Sequence, residues 1–238
     1  METVILHQFQ RGPNIPNLSP FCLKLETYLR VANIPYQSKF GIKMSSKGKC
    51  PWIEHRGTSI ADSQFCIEYL NKEYNVNLNA HLNDEQRAIS RSFKSLLEDS
   101  LVWTMIHRWL WNEEMRTLLK IPRVLWWVVK RSVRKASWAH GMGRHSPDEI
   151  AEIARKNMDA ISNLLGSKKY MFGDEVSELD CIAFGVLGQA LWQMQGCPHE
   201  RFITQDFRNL TDYLNRMKTT YWGDWDDCLH KGDKHSFT

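Results

Sequence analysis

The sequence predicts a two-domain chain, an α+β N-terminal domain followed by an all-α one, and three observations carry that prediction. Between Val4 and Phe40, apolar runs of strand length flank one stripe of helical spacing. A turn signal, Arg56-Gly57, separates two further short runs. Beyond Asp84, apolar residues recur at helical spacing with almost no strand signal. With 238 residues, 42% of them hydrophobic, the chain is long enough to bury two modest cores.

Val4 to Gln8 is a short apolar run that ends at Arg11-Gly12-Pro13-Asn14-Ile15-Pro16-Asn17, where Gly, Pro and Asn mark a break. It reads as a buried strand and a loop. Ser19 offers a helix N-cap and Pro20 suits the first helical position, after which Phe21, Leu25, Tyr28, Leu29 and Ala32 recur, so a helix is predicted from Pro20 to about Asn33. Pro35 stops it, and Tyr36 to Phe40 alternates as a second strand, joined to the first by a right-handed crossover. Pro51 to His55 and Thr58 to Ile60 then form a hairpin. Asp62 or Ser63 caps a further helix through Phe65, Ile67, Tyr69 and Leu70, and the polar stretch from Asn71 to Asn83 reads as an interdomain linker. This order of elements is a thioredoxin-like layout.

In the second domain, Ile89, Phe93, Leu96, Leu97 and Leu101 make one helical stripe, and Ile150, Ile153, Ala154, Met158 and Ile161 another. The expected boundaries are 1–77 for the first domain, 84–225 for the second and 226–238 for a flexible tail. Tryptophan is concentrated in the second domain, which holds every one except Trp52, and such side chains can fill a core or line an apolar cavity.

The formal net charge of +4 is small for the length, and no basic footprint for nucleic acid appears. Met1 to Leu6 begins with an acidic residue where a secretory signal needs a basic one, and Val124 to Val129, the longest apolar run, is far short of a membrane span. A cytoplasmic protein is expected. The six cysteines show no paired spacing and no Cys-x-x-Cys, which points to a reducing compartment and away from a disulfide framework or a zinc site. No metal is expected, and His140 and His145 have no accompanying ligand pattern.

Four segments carry candidate chemistry. In Leu18-Ser19-Pro20-Phe21-Cys22 a hydroxyl sits at a helix start, where free backbone N–H groups favour negative charge and would stabilise a thiolate. Serine at this place excludes the two-cysteine chemistry of redox enzymes that begin the helix with cysteine, and Cys22 lies beyond the cap. Lys49-Cys50-Pro51-Trp52 places a proline at a strand start, a position that favours cis geometry and presents the preceding backbone to an extended peptide. Asp62-Ser63, at another helix start, can receive the amino and carboxylate ends of a γ-glutamyl group. Ser177 and Asp180, in Gly173-Asp174-Glu175-Val176-Ser177-Glu178-Leu179-Asp180, are spaced to cap one helix reciprocally. Read alone, the first three are equally compatible with ordinary helix and strand starts.

Together, in this order, these segments resemble the glutathione S-transferase superfamily, whose helical domain carries a Gly-Asp-x-x-Ser-x-x-Asp segment. Ser19 to Arg30, Gly48 to Glu54, Glu85 to Arg91 and His140 to His145 look like the failed axon connections family, a metaxin-related branch. The resemblance implies a thiol-site hydroxyl at Ser19, a cis-proline at Pro51 with the Cys50 backbone facing glutathione, and γ-glutamyl contacts at Asp62 and Ser63. It implies glutathione as cofactor, a small hydrophobic electrophile held on an aromatic wall of the helical domain, and a homodimer. The family also includes membrane-associated assembly proteins, and the loop from Gln10 to Leu18 is long for a simple transferase.

Segment 120–136 combines Arg123, Lys130, Arg131, Arg134 and Lys135 with Leu125, Val128, Val129, Val133 and the pair Trp126-Trp127. Its periodicity fits an amphipathic helix, either packed on the domain with a solvated face or in peripheral contact with an anionic membrane. Two functional readings therefore stand: a glutathione-dependent transferase, and a non-catalytic binding protein that uses the fold for membranes or protein partners.

Overall fold

The computed structural model describes residues 2–109, 116 and 122–230. Strands β1 (Val4–Gln8), β2 (Tyr36–Phe40), β3 (Trp52–His55) and β4 (Thr58–Ala61) form a sheet in the order β2-β1-β3-β4. β1 runs parallel to β2, with Val4 opposite Tyr36, and antiparallel to β3, with Leu6 opposite Ile53. The β3–β4 hairpin closes through Arg56 and Gly57 at φ 49° and 72°, the double positive φ that a two-residue hairpin turn demands.

Helix α1 (Pro20–Val31) starts where Ser19 Oγ accepts from the Cys22 N–H at 3.4 Å, with Pro20 in the first turn, and ends before Asn33 at φ 52°. It is buried from Pro20 to Leu29, apart from Phe21, because Leu25, Tyr28 and Leu29 share a core with Val4, Leu6 and Ile53 of the sheet while helices of the second domain pack on it as well. Helix α2 (Ser63–Tyr74) runs further than the sequence suggests: Asn71, read there as linker, is helical, accepts from Tyr28 Oη at 2.6 Å and donates to Glu178 at 2.8 Å.

The second domain contains α3 (Asp84–Ser95), a π-helical turn (Leu96–Leu101), α4 (Val102–Trp109), α5 (Arg123–His140), α6 (Pro147–Leu165), α7 (Glu178–Gly188), the short α8 (Pro198–Arg201) and α9 (Arg208–Tyr221). Asn83 with Gln86 and Ser146 with Glu149 make capping boxes at the starts of α3 and α6. At α7 the Asp180 carboxylate accepts from the Ser177 N–H (2.8 Å) and hydroxyl (2.7 Å), the Met171 N–H (2.9 Å) and Tyr213 Oη (3.1 Å). Asp180 therefore ties α7 to α9 as well as capping its own helix.

The domains meet where α1 lies on α7. Gly185 makes that approach possible, since a Cβ there would stand 2.5 Å from the Pro20 carbonyl oxygen and 2.9 Å from the Lys24 nitrogen. Cys181 of α7 belongs to the core of the first domain, beside Leu25 and Leu29. Phe184, Trp192, Trp222 and Trp225 stack and edge against one another, so these tryptophans fill core. Residues 226–230, read from the sequence as tail, are attached: Cys228 is buried and the His230 N–H donates to the Gly12 carbonyl at 2.8 Å. Residues 231–238 lie outside the described residues.

Candidate functional site

The loop before α1 is held by a buried polar cluster that the sequence reading missed. Glu26, fully buried one helix turn beyond Cys22, accepts from both Arg11 guanidinium nitrogens (2.7 and 2.8 Å), Gln8 Nε2 (2.8 Å) and Tyr36 Oη (3.0 Å). Asn17 donates to Gln8 Oε1 (3.1 Å) and the Phe9 carbonyl (2.8 Å), while its own Oδ1 accepts the Ser19 N–H at 3.0 Å. Each residue is unremarkable in sequence; only the fold joins the strand, the loop and the helix. The long loop thereby fixes Ser19 at the start of α1.

Ser19, Cys50, Pro51, Asp62 and Ser63, separated by up to 44 positions, line one cavity of about 660 Å³. The Cys50–Pro51 peptide is cis. Asp62 caps α2 by accepting the Gln64 N–H at 3.0 Å, and it does so at φ 85°, a strained value for a non-glycine residue. Lys49 reaches it at 2.5 Å. Burial raises the Asp62 carboxyl pKa, but the Lys49 ammonium and the Gln64 N–H outweigh it and hold the group below its ordinary value. Ser63, the first residue of α2, is buried beside it.

The opposite wall comes from the helical domain. Glu98 and Asp99 stand on the π-helical turn, a distortion often found at functional sites, next to Lys94, Val102, Ile106 and Val133. An aromatic wall from this domain was expected. Among the described residues its contribution is aliphatic and charged, and the aromatic lining, Phe9 and Phe21, comes from the first domain. Lys24 Nζ crosses the domain seam to Glu98 (2.7 Å) and also donates to Gln64 Oε1 of α2 (3.0 Å), with Lys94 on the other Glu98 oxygen at 3.0 Å. Burial pushes the Lys24 ammonium pKa down, and Glu98 opposes that shift.

Cys22 corrects the sequence reading. It has no cysteine partner at position 19, yet its Sγ lies 3.8 Å from Cys50 Sγ. The two thiols are 28 residues apart, and only the packing of the pre-β3 loop against α1 brings them together, so no spacing rule would find them.

Val133 connects the cavity to α5, whose inward face also carries Trp126 and Ser137. The outward face exposes Val124 (82%), Leu125 (53%), Trp127 (63%), Val128 (50%) and Trp138 (59%) among Arg131, Arg134 and Lys135. The eighteen residues of α5 include no Asp or Glu. Of segment 120–136, residues 120 and 121 lie outside the described residues.

The family model of the glutathione S-transferase N-terminal domain matches residues 20–115, and that of the C-terminal domain matches 154–217, together more than half of the chain. The chain belongs to the glutathione S-transferase superfamily. Within it the chain falls in the failed axon connections, metaxin-related branch: it is 32% identical to Failed axon connections of Drosophila melanogaster over 98% of its own length. It spans 61% of the length of that relative. It is 29% identical to isoprene-epoxide glutathione S-transferase of a Rhodococcus strain, over 87% of this chain and 94% of that one. The mitochondrial outer membrane import complex protein metaxin of Arabidopsis thaliana is 24% identical over 92% and 74% of the two chains. Among solved structures, a glutathione S-transferase of Ceriporiopsis subvermispora in complex with glutathione superposes with a TM-score of 0.64 at 17% identity, covering 91% of this chain and 97% of that one. That likeness shows the shared fold. Among the described residues no helix is long and apolar enough to cross a membrane, and no group of three potential metal ligands assembles.

Proposed function

We propose that the chain is a binding protein of the glutathione S-transferase fold that docks on anionic membrane surfaces through α5. The observation that carries this reading is the outward face of that helix, where exposed Trp, Val and Leu side chains alternate with Lys and Arg and no acidic side chain intervenes. Such a helix lies in the plane of the interface, with its apolar side chains in the headgroup boundary and its basic stems reaching anionic headgroups. Each Lys or Arg near an anionic surface contributes about 1 kcal/mol. The outer-membrane description of the Arabidopsis relative favours the same reading. Flotation of the full chain with phosphatidylcholine vesicles, with and without phosphatidylserine, tests it. Binding to the anionic vesicles that weakens with salt is expected, and equal or no binding to both would contradict it.

A second reading, transferase chemistry on a small hydrophobic electrophile, is favoured by the geometry of Ser19. Its Oγ accepts the Cys22 N–H, which leaves the hydroxyl proton to donate to a glutathione thiolate at the start of α1. Asp62 and Ser63 would take the γ-glutamyl end and the Cys50 backbone the cysteinyl residue, with the electrophile against Phe21, Val102, Ile106 and Val133. In this reading, Ser63→Ala weakens glutathione binding by about 1.5 to 3 kcal/mol. Ser19→Ala slows conjugation and raises the bound thiol pKa while sparing affinity. Calorimetry and thiolate absorbance separate the two effects, and an unshifted thiol in the parent protein would remove the catalytic role.

A further inference from the structure

Cys50, on the cavity wall, and Cys22, behind it, sit in unequal environments. Cys50 is partly exposed and lines the cavity; Cys22, in the first turn of α1, is fully buried behind it. Their sulfurs are 3.8 Å apart, and a disulfide needs about 2.05 Å, so closing the bond takes roughly 1.8 Å of relative movement. The other four cysteines are buried. Cys66 Sγ donates to the Ile60 carbonyl, and Cys228 Sγ to Asp224.

We infer that Cys22 and Cys50 form a redox pair that low-molecular-weight disulfides entering the cavity oxidise to an intramolecular disulfide. Cys50 is the attacking thiol. Its thiolate displaces one half of the small disulfide; the electron pair of the broken S–S bond leaves on the departing sulfur, which takes up the proton that Cys50 released. Cys22 then gives up its proton, attacks the Cys50 sulfur of the mixed disulfide and expels the second half as a thiol. Two protein thiols become one disulfide, and one small disulfide becomes two thiols.

The order of events follows from access and from the two environments. Only Cys50 meets the cavity. The hydrogen bond from Cys22 holds the Cys50 thiol pKa below its ordinary value against the upward push of burial, whereas burial pushes the Cys22 thiol well up. The closed form draws the Cys50 sulfur onto α1 beside Ser19, so oxidation reshapes the wall on which a thiol ligand would rest. The pair stands on the sulfur geometry. Glutathione disulfide as one of its oxidants rests on the glutathione-binding reading of the cavity.

The test equilibrates the full chain with glutathione disulfide and, separately, with 2-hydroxyethyl disulfide, which lacks the γ-glutamyl and glycyl ends. Acid quenching, alkylation and peptide mass spectrometry then count free thiols and locate links. Two of the six thiols should disappear, joined as a Cys22–Cys50 peptide pair. Cys22→Ser should stop with the small thiol held on Cys50, and Cys50→Ser, altered at a partly exposed site, should leave Cys22 free. Closure with both reagents, faster with glutathione disulfide, supports the pair and the glutathione site together. Closure at equal rates, or with hydroxyethyl disulfide alone, supports the pair and counts against glutathione recognition. Six free thiols with both reagents, a link that omits either cysteine, or a mixed disulfide on Cys50 that persists in the parent chain would overturn the inference.

Discussion

The two walls of the cavity are built differently. On the N-terminal side, Ser19, Cys50 and Asp62 stand at element boundaries and are fixed by backbone hydrogen bonds, caps and the Glu26–Arg11–Asn17 cluster behind them. On the helical side, Val102, Ile106 and Val133 offer apolar surface without a polar geometry of their own, and Glu98 is joined across the seam to Lys24. One wall is made of helix and strand starts with their backbone groups; the other belongs to a domain whose helix α5 turns a basic and apolar face outward. On the reading proposed above, the first wall recognises a ligand and the second domain docks. The seam between them, α1 against α7, makes them one unit.

Breaking that seam should have the largest effect. In Gly185→Ala the new methyl must displace the Pro20 carbonyl and the Lys24 backbone, neither of which is a flexible chain end. A loss of about 3 kcal/mol is expected in urea unfolding, together with a displaced Ser19, because Pro20 follows it directly. Stability within about 0.5 kcal/mol of the parent would show that the helices can separate at little cost.

A smaller effect is expected from Lys24→Met, which removes a buried ammonium from Glu98. Removing one partner of a buried ion pair typically costs about 3 to 5 kcal/mol, but Lys94 still serves Glu98, so about 2 kcal/mol is expected here. Adding Glu98→Leu should recover much of that loss, since no buried carboxylate is then left short of a partner. A double variant less stable than Lys24→Met would mean that Glu98 supports the fold independently of Lys24.

The smallest effect lies at the edge of the seam, where Arg30 holds Asp224 through two hydrogen bonds of 2.5 and 3.0 Å. Those bonds outweigh burial and keep the Asp224 carboxyl pKa down at about 2. A carboxyl depressed in the folded chain contributes stability that is fully present above its unfolded pKa of about 3.9 and is lost as pH falls through its folded value. Asp224→Asn should therefore match the parent near pH 2 and be less stable at pH 7. The side chain is half exposed, so the difference should stay below about 1 kcal/mol. A larger gap at pH 2 than at pH 7 would invert the assignment.

Local chemistry made the N-terminal half legible. Ser19-Pro20, Arg56-Gly57 and Asp62-Ser63 announce caps and a turn within a few residues, and the structure places a helix start, a hairpin turn and a second helix start there. Ser19, Cys50, Pro51, Asp62 and Ser63 do come together around one cavity. What escaped is long-range. Glu26 reads as an exposed helix charge until Arg11 and Tyr36 surround it, and Cys22 reads as isolated until the loop before β3 delivers Cys50. From sequence a tryptophan can fill core or line a cavity, and the structure sends Trp192, Trp222 and Trp225 to core. Composition cannot separate those fates; only the direction in which each helix face points can.

Docking on anionic membranes is tested most directly on α5 itself. Arg131→Glu/Lys135→Glu reverses two exposed charges, and Trp127→Ala/Trp138→Ala removes two exposed rings, in each case without touching the inward Trp126 and Ser137. Both double variants should fold and melt like the parent, and equilibrium binding to phosphatidylserine-containing vesicles should separate them from it. The charge reversal should weaken binding by about 30-fold or more, from roughly 1 kcal/mol per basic residue, and the loss of the rings should weaken it further at high salt, where charge is screened. Unchanged vesicle affinity in both variants would contradict the account.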